Sequence, residues 1–225
     1  GKSVLSGEAE VIAPGIKISR PRVKLPRFEF HKGSDFYEEL ITAQDSLSPL
    51  ATAVVHPVDG NSLVSTVEAA VKGIIEPVLV GPRERILAVA KNEGVDISGY
   101  RLVHTEHSHQ SAEVAVALAQ CNEVAALMKG KLHTDELLHA LLDRESGLRT
   151  ERRMSHVFVM DVATYHKPLF LTDAAINIRP GLMEKRDILQ NAVDLYLSLG
   201  RGVPKVAIVS AVETVTESLP STLDA

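Results

Sequence analysis

The stretch Val124-Ala125-Ala126-Leu127-Met128-Lys129-Gly130-Lys131 sets the fold class. Five apolar residues read as a buried strand, and the strand empties into a lysine-glycine-lysine turn. A helix follows from Thr134 to Leu142. Next comes an arginine-dense turn, Ser146-Gly147-Leu148-Arg149-Thr150-Glu151-Arg152-Arg153, and then a strand from Ser155 to Val162. A further strand, Pro168 to Leu171, ends in Thr172-Asp173-Ala174-Ala175-Ile176-Asn177. Polar and cationic residues thus gather where strands stop. In open α/β sheets ligands bind at that edge. The clustered cations point to an anionic ligand, with phosphate the first choice.

The same grammar runs back through the chain. Helical spacing is expected over Asp35–Ala43, Asn61–Lys72 with Asn61 as cap, Pro82 to Gly94, and Ser111–Ala119. Short apolar strands are expected at Thr52–His56, Pro77–Val80 and Arg101–His104. A long helix, Met183–Leu199, and a strand, Lys205–Ser210, come after. Strands that alternate with helices and are apolar on both faces predict an α/β fold with a mostly parallel sheet and helices on both sides. Two consecutive strands near 155–171 break the alternation and suggest the start of a second lobe. The expected organisation is a strand over 1–12, a Pro-rich basic linker over 13–33, a first α/β lobe over 34–150, and the start of a second lobe over 151–225. That second lobe reads as truncated, and the Gly1 start reads as that of a fragment.

Composition narrows the function classes. The 225 residues are 45% hydrophobic and 24% charged, with a net charge of −5. An acidic chain with a local basic cluster does not suit general nucleic-acid or membrane-surface binding. No apolar run approaches the roughly 20 residues of a membrane helix. No signal peptide is evident. The single cysteine, Cys121, rules out an intrachain disulfide and fits a cytoplasmic setting. Cys121 itself reads as buried or inert.

Each cluster suggests its own chemistry. Gly130 lets backbone approach a ligand closely, and the Lys129 and Lys131 charges beside a helix N-terminus suit phosphate. Thr134 could cap that helix and offer its hydroxyl. The spacing is not that of a P-loop. Arg149, Arg152 and Arg153 place three guanidinium groups within five residues, enough for a ligand bearing several phosphates. Asp173 and Asn177 follow a strand end with small residues between them, so they line a cleft or cap a helix. His104, Glu106, His107 and His109 lack a standard metal spacing, so no metal site is assigned. Ser155 and His156 point to opposite strand faces, which excludes a hydrolytic triad.

Several of these stretches together resemble the phosphate acetyl/butyryltransferase family. They are Leu127-Met128-Lys129-Gly130, Thr134-Asp135-Glu136-Leu137-Leu138, Gly147-Leu148-Arg149, Ser155-His156-Val157 and Phe170-Leu171-Thr172-Asp173-Ala174-Ala175-Ile176-Asn177-Ile178. Pro204-Lys205-Val206-Ala207 and Pro220-Ser221-Thr222-Leu223-Asp224-Ala225 agree with it. The match covers roughly residues 45 to 225 and looks closer to the butyryl-type branch. Gly7-Glu8-Ala9-Glu10-Val11 with Ala13-Pro14 is similar to the closing strand of a MaoC-like hydratase, which implies a bifunctional enoyl-CoA hydratase/phosphate acetyltransferase. The resemblance implies a two-lobed fold related to isocitrate/isopropylmalate dehydrogenases. It implies reversible acyl transfer between coenzyme A and orthophosphate, with acyl-CoA, acyl phosphate and orthophosphate as partners, no bound cofactor, and a homo-oligomer. It places Lys129, Gly130 and Thr134 on the phosphate side, and Arg149, Arg152 and Arg153 at the coenzyme phosphates. Asp173 and Asn177 would line the cleft. The catalytic residues themselves stay unknown: the family's serine, arginine and aspartate group is expected beyond Ala225, so no turnover is expected of these 225 residues alone. His139 stands where acetyl-type members tend to carry arginine. The alternatives are an NAD(P)-dependent oxidoreductase of the related fold, against which the lack of a Gly-x-Gly-x-x-Gly turn weighs, and a non-catalytic assembly module.

Overall fold

A computed structural model describes residues 35–44, 47–145, 148–162, 165, 167–210 and 212–224. The expected strand at 1–12 and linker at 13–33 lie outside the described residues. So do Ser146 and Gly147.

Helix α1 spans Asp35–Gln44. Strands and helices then alternate: β1 Leu50–Val55, α2 Gly60–Val71, β2 Ile75–Gly81, α3 Arg83–Glu93, β3 Arg101–His104, α4 Ser108–Gln120, β4 Ala126–Lys129 and α5 Thr134–Leu142. The four strands form one parallel sheet in the order β3-β2-β1-β4. β1 and β2 lie in the middle, and their C-terminal halves are buried without a break. A two-residue side-chain period sends alternate residues to opposite faces. Ala53, Val55, Val78 and Val80 pack with Ala112, Ala115 and Leu118 of α4 and Leu137 of α5. Val54 and Leu79 face the other way, against Leu63 of α2 and Ile86 and Ala90 of α3. Two cores therefore sandwich the sheet, which is why these strands are apolar on both faces.

Strand order turns back after β3. The chain moves outward from β1 to β2 to β3, crosses over, and lays β4 on the far side of β1. α2 and α3 pack on one face, while α4 and α5 pack on the other. The crevice between the C-terminal ends of β1 and β4 is thus the topological switch point, where ligands bind in sheets of this kind.

The rest of the chain is built differently. β5, Phe158–Met160, and β6, Leu169–Leu171, form a separate antiparallel pair. α6, Leu182–Ser198, packs beside it, with Phe170 and Tyr196 ring centroids 5.1 Å apart. α1 reaches toward this part: the Tyr37 hydroxyl donates to the Val159 carbonyl at 2.6 Å, and Arg201 pairs with Glu39 at 2.7 Å. The short helix α7 covers Pro220–Asp224, tied to α6 by Lys185 and Asp224 at 2.6 Å.

The expected strand at Lys205–Ser210 does not form among the described residues. A strand needs a neighbour to take its backbone donors and acceptors. Here Val206, Ile208 and Val209 are exposed, Val209 at 89%, and no ladder accepts the segment.

Candidate functional site

The switch point is built around Gly130. Its N–H donates to the Val55 carbonyl at 2.9 Å, and the Lys131 N–H donates to the His56 carbonyl at 2.9 Å. Here β4 closes so tightly on the end of β1 that a Cβ on residue 130 would lie 2.5 Å from the Val55 oxygen and 2.8 Å from the His56 oxygen. Glycine at 130 is therefore required by backbone packing inside the protein. Lys129, opposite Val55 in the ladder, and Lys131 both extend into solvent. Their charges bear on Asp59, which caps α2 through a 2.7 Å bond from the Ser62 N–H. That backbone bond, with the Ser62 side chain and then Lys131 and Lys129, holds the Asp59 carboxyl below its usual range against a smaller effect of burial. Asp59 takes the capping role expected of Asn61, two residues earlier, because α2 already starts at Gly60.

Thr134 is the first residue of α5 rather than its cap. His133 holds the cap position and makes no side-chain capping bond. The first turn of α5 thus keeps N–H donors without a side-chain acceptor, and it carries Asp135 and Glu136. His139 lies on the same helix, facing a groove between α4 and α5 that His109, Glu113, Glu136 and Asp143 also line.

Sequence reading passed over His56, which lies at the centre of this edge. It is 4% exposed and adopts a left-handed backbone, with φ 58°. Its Nδ1 lies 3.0 Å from Ser111 Oγ. Ser111 Oγ donates to the His107 carbonyl at 2.9 Å and lies 2.7 Å from Thr105 Oγ1. Ser111 and Thr105 are buried to 0% and 1% exposure. Serine has one proton to give. With that proton on the His107 carbonyl, Ser111 receives from both Thr105 and His56. His56 then carries its proton on Nδ1, and Nε2 keeps a lone pair. Burial, joined by the Arg85 guanidinium and His107 and opposed by Glu136, lowers the His56 pKa and keeps the ring neutral. The one sequence signal was a histidine ending an apolar strand, Ala53-Val54-Val55, just before Pro57. Glu136 lies nearby: its Oε2 is buried without a hydrogen bond, 3.5 Å from His109 Nδ1.

His104 and His107 have structural tasks. His104 accepts the Arg83 N–H at 3.2 Å and meets Glu106 at 3.1 Å. His107 caps α4 by accepting the Gln110 N–H at 3.2 Å. Among the described residues, no group of three or more His, Cys, Asp or Glu is arranged to hold a metal ion. Cys121 is exposed at the end of α4, not buried. The helix ends there, so its side chain has no layer above it.

A second polar group forms around β5, β6 and α6. Asp173 Oδ1 accepts the His156 N–H at 2.8 Å, and Oδ2 accepts both the backbone and side-chain N–H of Asn177 at 2.6 Å. Asn177 also donates to the Met154 carbonyl at 2.9 Å and accepts from Arg153 Nε at 2.8 Å. Burial pushes the Asp173 carboxyl up, but the bonds from His156 and Asn177 prevail and hold it below its usual range. Arg152 pairs with Asp194 and lies 3.4 Å from Asn191. Asn191 in turn donates to the Arg153 carbonyl and to Ser155 Oγ, at 2.8 and 2.9 Å. Of the three arginines, Arg149 alone is exposed and without a hydrogen bond or ion pair to the described residues. The expected residues thus fall into two sets: Lys129, Gly130 and Thr134 at the parallel sheet, and Arg152, Arg153, Asp173 and Asn177 by the antiparallel pair. No hydrogen bond or ion pair of the first set reaches the second among the described residues.

Comparison with known proteins matches this architecture. Residues 107–225 match the family described as phosphate acetyl/butaryl transferase. A phosphate acetyltransferase of Rickettsia prowazekii is 50% identical over 206 residues, covering 91% of this chain and 59% of that protein. A phosphate butyryltransferase of Clostridium acetobutylicum is 35% identical over 189 residues, covering 84% and 63%. A branched-chain phosphotransacylase structure from Enterococcus faecalis aligns with a TM-score of 0.63 at 26% identity, covering 78% of this chain and 62% of that one. The chain spans about three-fifths of the length of these relatives. A parallel sheet whose switch point holds a lysine-glycine-lysine turn, a separate β5–β6 and α6 unit, and a family match over more than half the residues lead to one assignment: the chain belongs to the phosphate acetyl/butaryl transferase family.

Proposed function

We propose that the protein containing this chain moves an acetyl or short acyl group between coenzyme A and orthophosphate. The observation that carries this reading is the family match combined with a cationic turn at the switch point, where Lys129-Gly130-Lys131 stands beside the uncapped first turn of α5. That edge offers what an oxyanion needs: ammonium groups, free helix N–H donors and a backbone pressed close by Gly130. Lys129, Gly130 and Thr134 form the phosphate side. Arg149 takes a coenzyme phosphate, since Arg152 and Arg153 are already engaged by Asp194 and Asn177. Asp173 and Asn177 act by holding the segments 153–156 and 172–177 together, and so shape the opposite wall. The residues fall into a first lobe over 34–150 and a second over 151–225, of the isocitrate/isopropylmalate dehydrogenase type. The working form is a cytoplasmic homo-oligomer.

In the reaction, the thiol of coenzyme A loses its proton and the thiolate attacks the acyl phosphate carbonyl. The tetrahedral oxyanion collapses, the C–O bond to phosphate breaks, and orthophosphate leaves with the bonding electrons. Donors at the phosphate side stabilise the charge that grows there. The test is thioester formation by the full-length protein from coenzyme A with acetyl, butyryl or branched acyl phosphates. Turnover with one of them is expected. Absence of thioester with all of them would overturn the reading.

A further inference from the structure

His56 carries the strongest unassigned chemistry in the molecule. It is a nine-tenths-buried imidazole at the switch point with one nitrogen committed to the interior. Ser111 Oγ lies within hydrogen-bond distance of the His107 carbonyl, Thr105 Oγ1 and His56 Nδ1; with its one proton on the carbonyl, Nδ1 of His56 is the donor and Nε2 the acceptor. Among the described residues nothing donates to Nε2. The surroundings are cationic: Lys129 lies in the ladder beside Val55, Lys131 is bonded to the His56 carbonyl, and Arg85 stands near the ring. Glu136 Oε2, buried without a hydrogen bond and 3.5 Å from His109 Nδ1, acts electrostatically on the same ring. An anion is drawn to such a place, and an acceptor lone pair there repels any oxygen that lacks a proton.

We propose that His56 is a specificity residue that accepts a hydrogen bond, at Nε2, from the P–O–H of monohydrogen phosphate. At neutral pH orthophosphate keeps one such proton and sulfate keeps none. The two ions share shape and charge, so a fixed acceptor separates them where cations alone would not. Ser111 and Thr105 are the positioning residues, because they choose the tautomer. The proposal rests on reading this edge as the phosphate side of an acyl-transfer cleft.

The test titrates the full-length protein with inorganic phosphate and with sulfate, following heat. Wild type is expected to favour phosphate by about tenfold or more, the scale of one unpaired polar contact beside a charge. Ser111→Ala removes the partner of Nδ1 and frees the proton to move to Nε2. The preference is then expected to fall toward unity, with the melting curve retained. His56→Asn, which tolerates the left-handed backbone, is expected to lose the preference as well. A nitrogen-15 spectrum of wild-type histidines is expected to show Nε2 of His56 unprotonated. Equal binding of the two ions by wild type, a preference unchanged in both variants, or a proton on Nε2 would each overturn the proposal. The thioester assay separates the two readings: turnover without ion preference defeats the His56 proposal alone, and ion preference without turnover defeats the acyl-transfer reading alone.

Discussion

Replacing Gly130 with alanine tests the geometry of the switch point most directly. The added Cβ would lie 2.5 Å from the Val55 oxygen, 2.8 Å from the His56 oxygen and 2.9 Å from the His56 carbonyl carbon. All three atoms are backbone, so no side chain can swing aside. To reach ordinary contact, β4 must retreat from β1 by about 0.9 Å at this point. That movement stretches the bonds from Gly130 N–H to Val55 and from Lys131 N–H to His56, both 2.9 Å. Two hydrogen bonds at about 1 kcal/mol each, with about 1–3 kcal/mol of overpacking strain, give about 3–5 kcal/mol. Against a typical stability of about 5–15 kcal/mol, that is a large share. Gly94→Ala is the control. Gly94 ends α3 with φ 68° and has nothing within 4 Å, so only the backbone conformation is strained. It is expected to cost about 1 kcal/mol. Denaturant unfolding of the full-length protein and the two variants measures both. A Gly130→Ala cost at or below that of Gly94→Ala would refute the close approach.

Three further outcomes are expected. Asp173→Asn turns one carboxylate oxygen into a donor facing N–H groups, and should cost about 2 kcal/mol by urea titration; because the folded carboxyl is held below its usual value, this contribution is present above about pH 4 and fades as pH falls through the folded pKa. Arg149→Ala should weaken coenzyme A binding about tenfold by calorimetry without moving the melting temperature, while Arg152→Ala, which loses a half-exposed pair with Asp194, should cost at most about 1 kcal/mol; unchanged coenzyme affinity in Arg149→Ala would remove that residue from the site. For His56, burial and Arg85 depress the folded pKa, so the unfolded chain binds a proton first on acidification; stability should decline as pH falls through about 6.5, and His56→Asn should flatten that decline.

Much of the parallel sheet was legible because its signals are local. β3 falls at Arg101–His104 and α5 at Thr134–Leu142, the expected bounds for both. Gly94 ends α3 as expected, while Pro82 stands just ahead of its first turn as the cap. What escaped was set by distant neighbours. His56 depends on Ser111, 55 residues away, and on a backbone turn that no periodicity encodes. Arg152 and Arg153 read as free phosphate ligands because Asp194 and Asn177 are remote in sequence. Lys205–Ser210 has strand composition, yet an apolar pattern cannot say whether a pairing edge is at hand.

The crossover that brings β4 beside β1 also bears on the order of folding. Val55 and Lys129 are ladder partners about seventy residues apart, whereas β1 and β2 pair across a single helix. Closing the longer loop costs more chain entropy, so β1, β2 and the helix between them are expected to organise first and β4 to seat late. A contact made after the rate-limiting barrier governs how fast the native state comes apart, not how fast it forms. The tight seam at Gly130 would then act as a latch on lifetime: loosening it should raise the unfolding arm of a stopped-flow chevron while leaving the refolding arm nearly where it was.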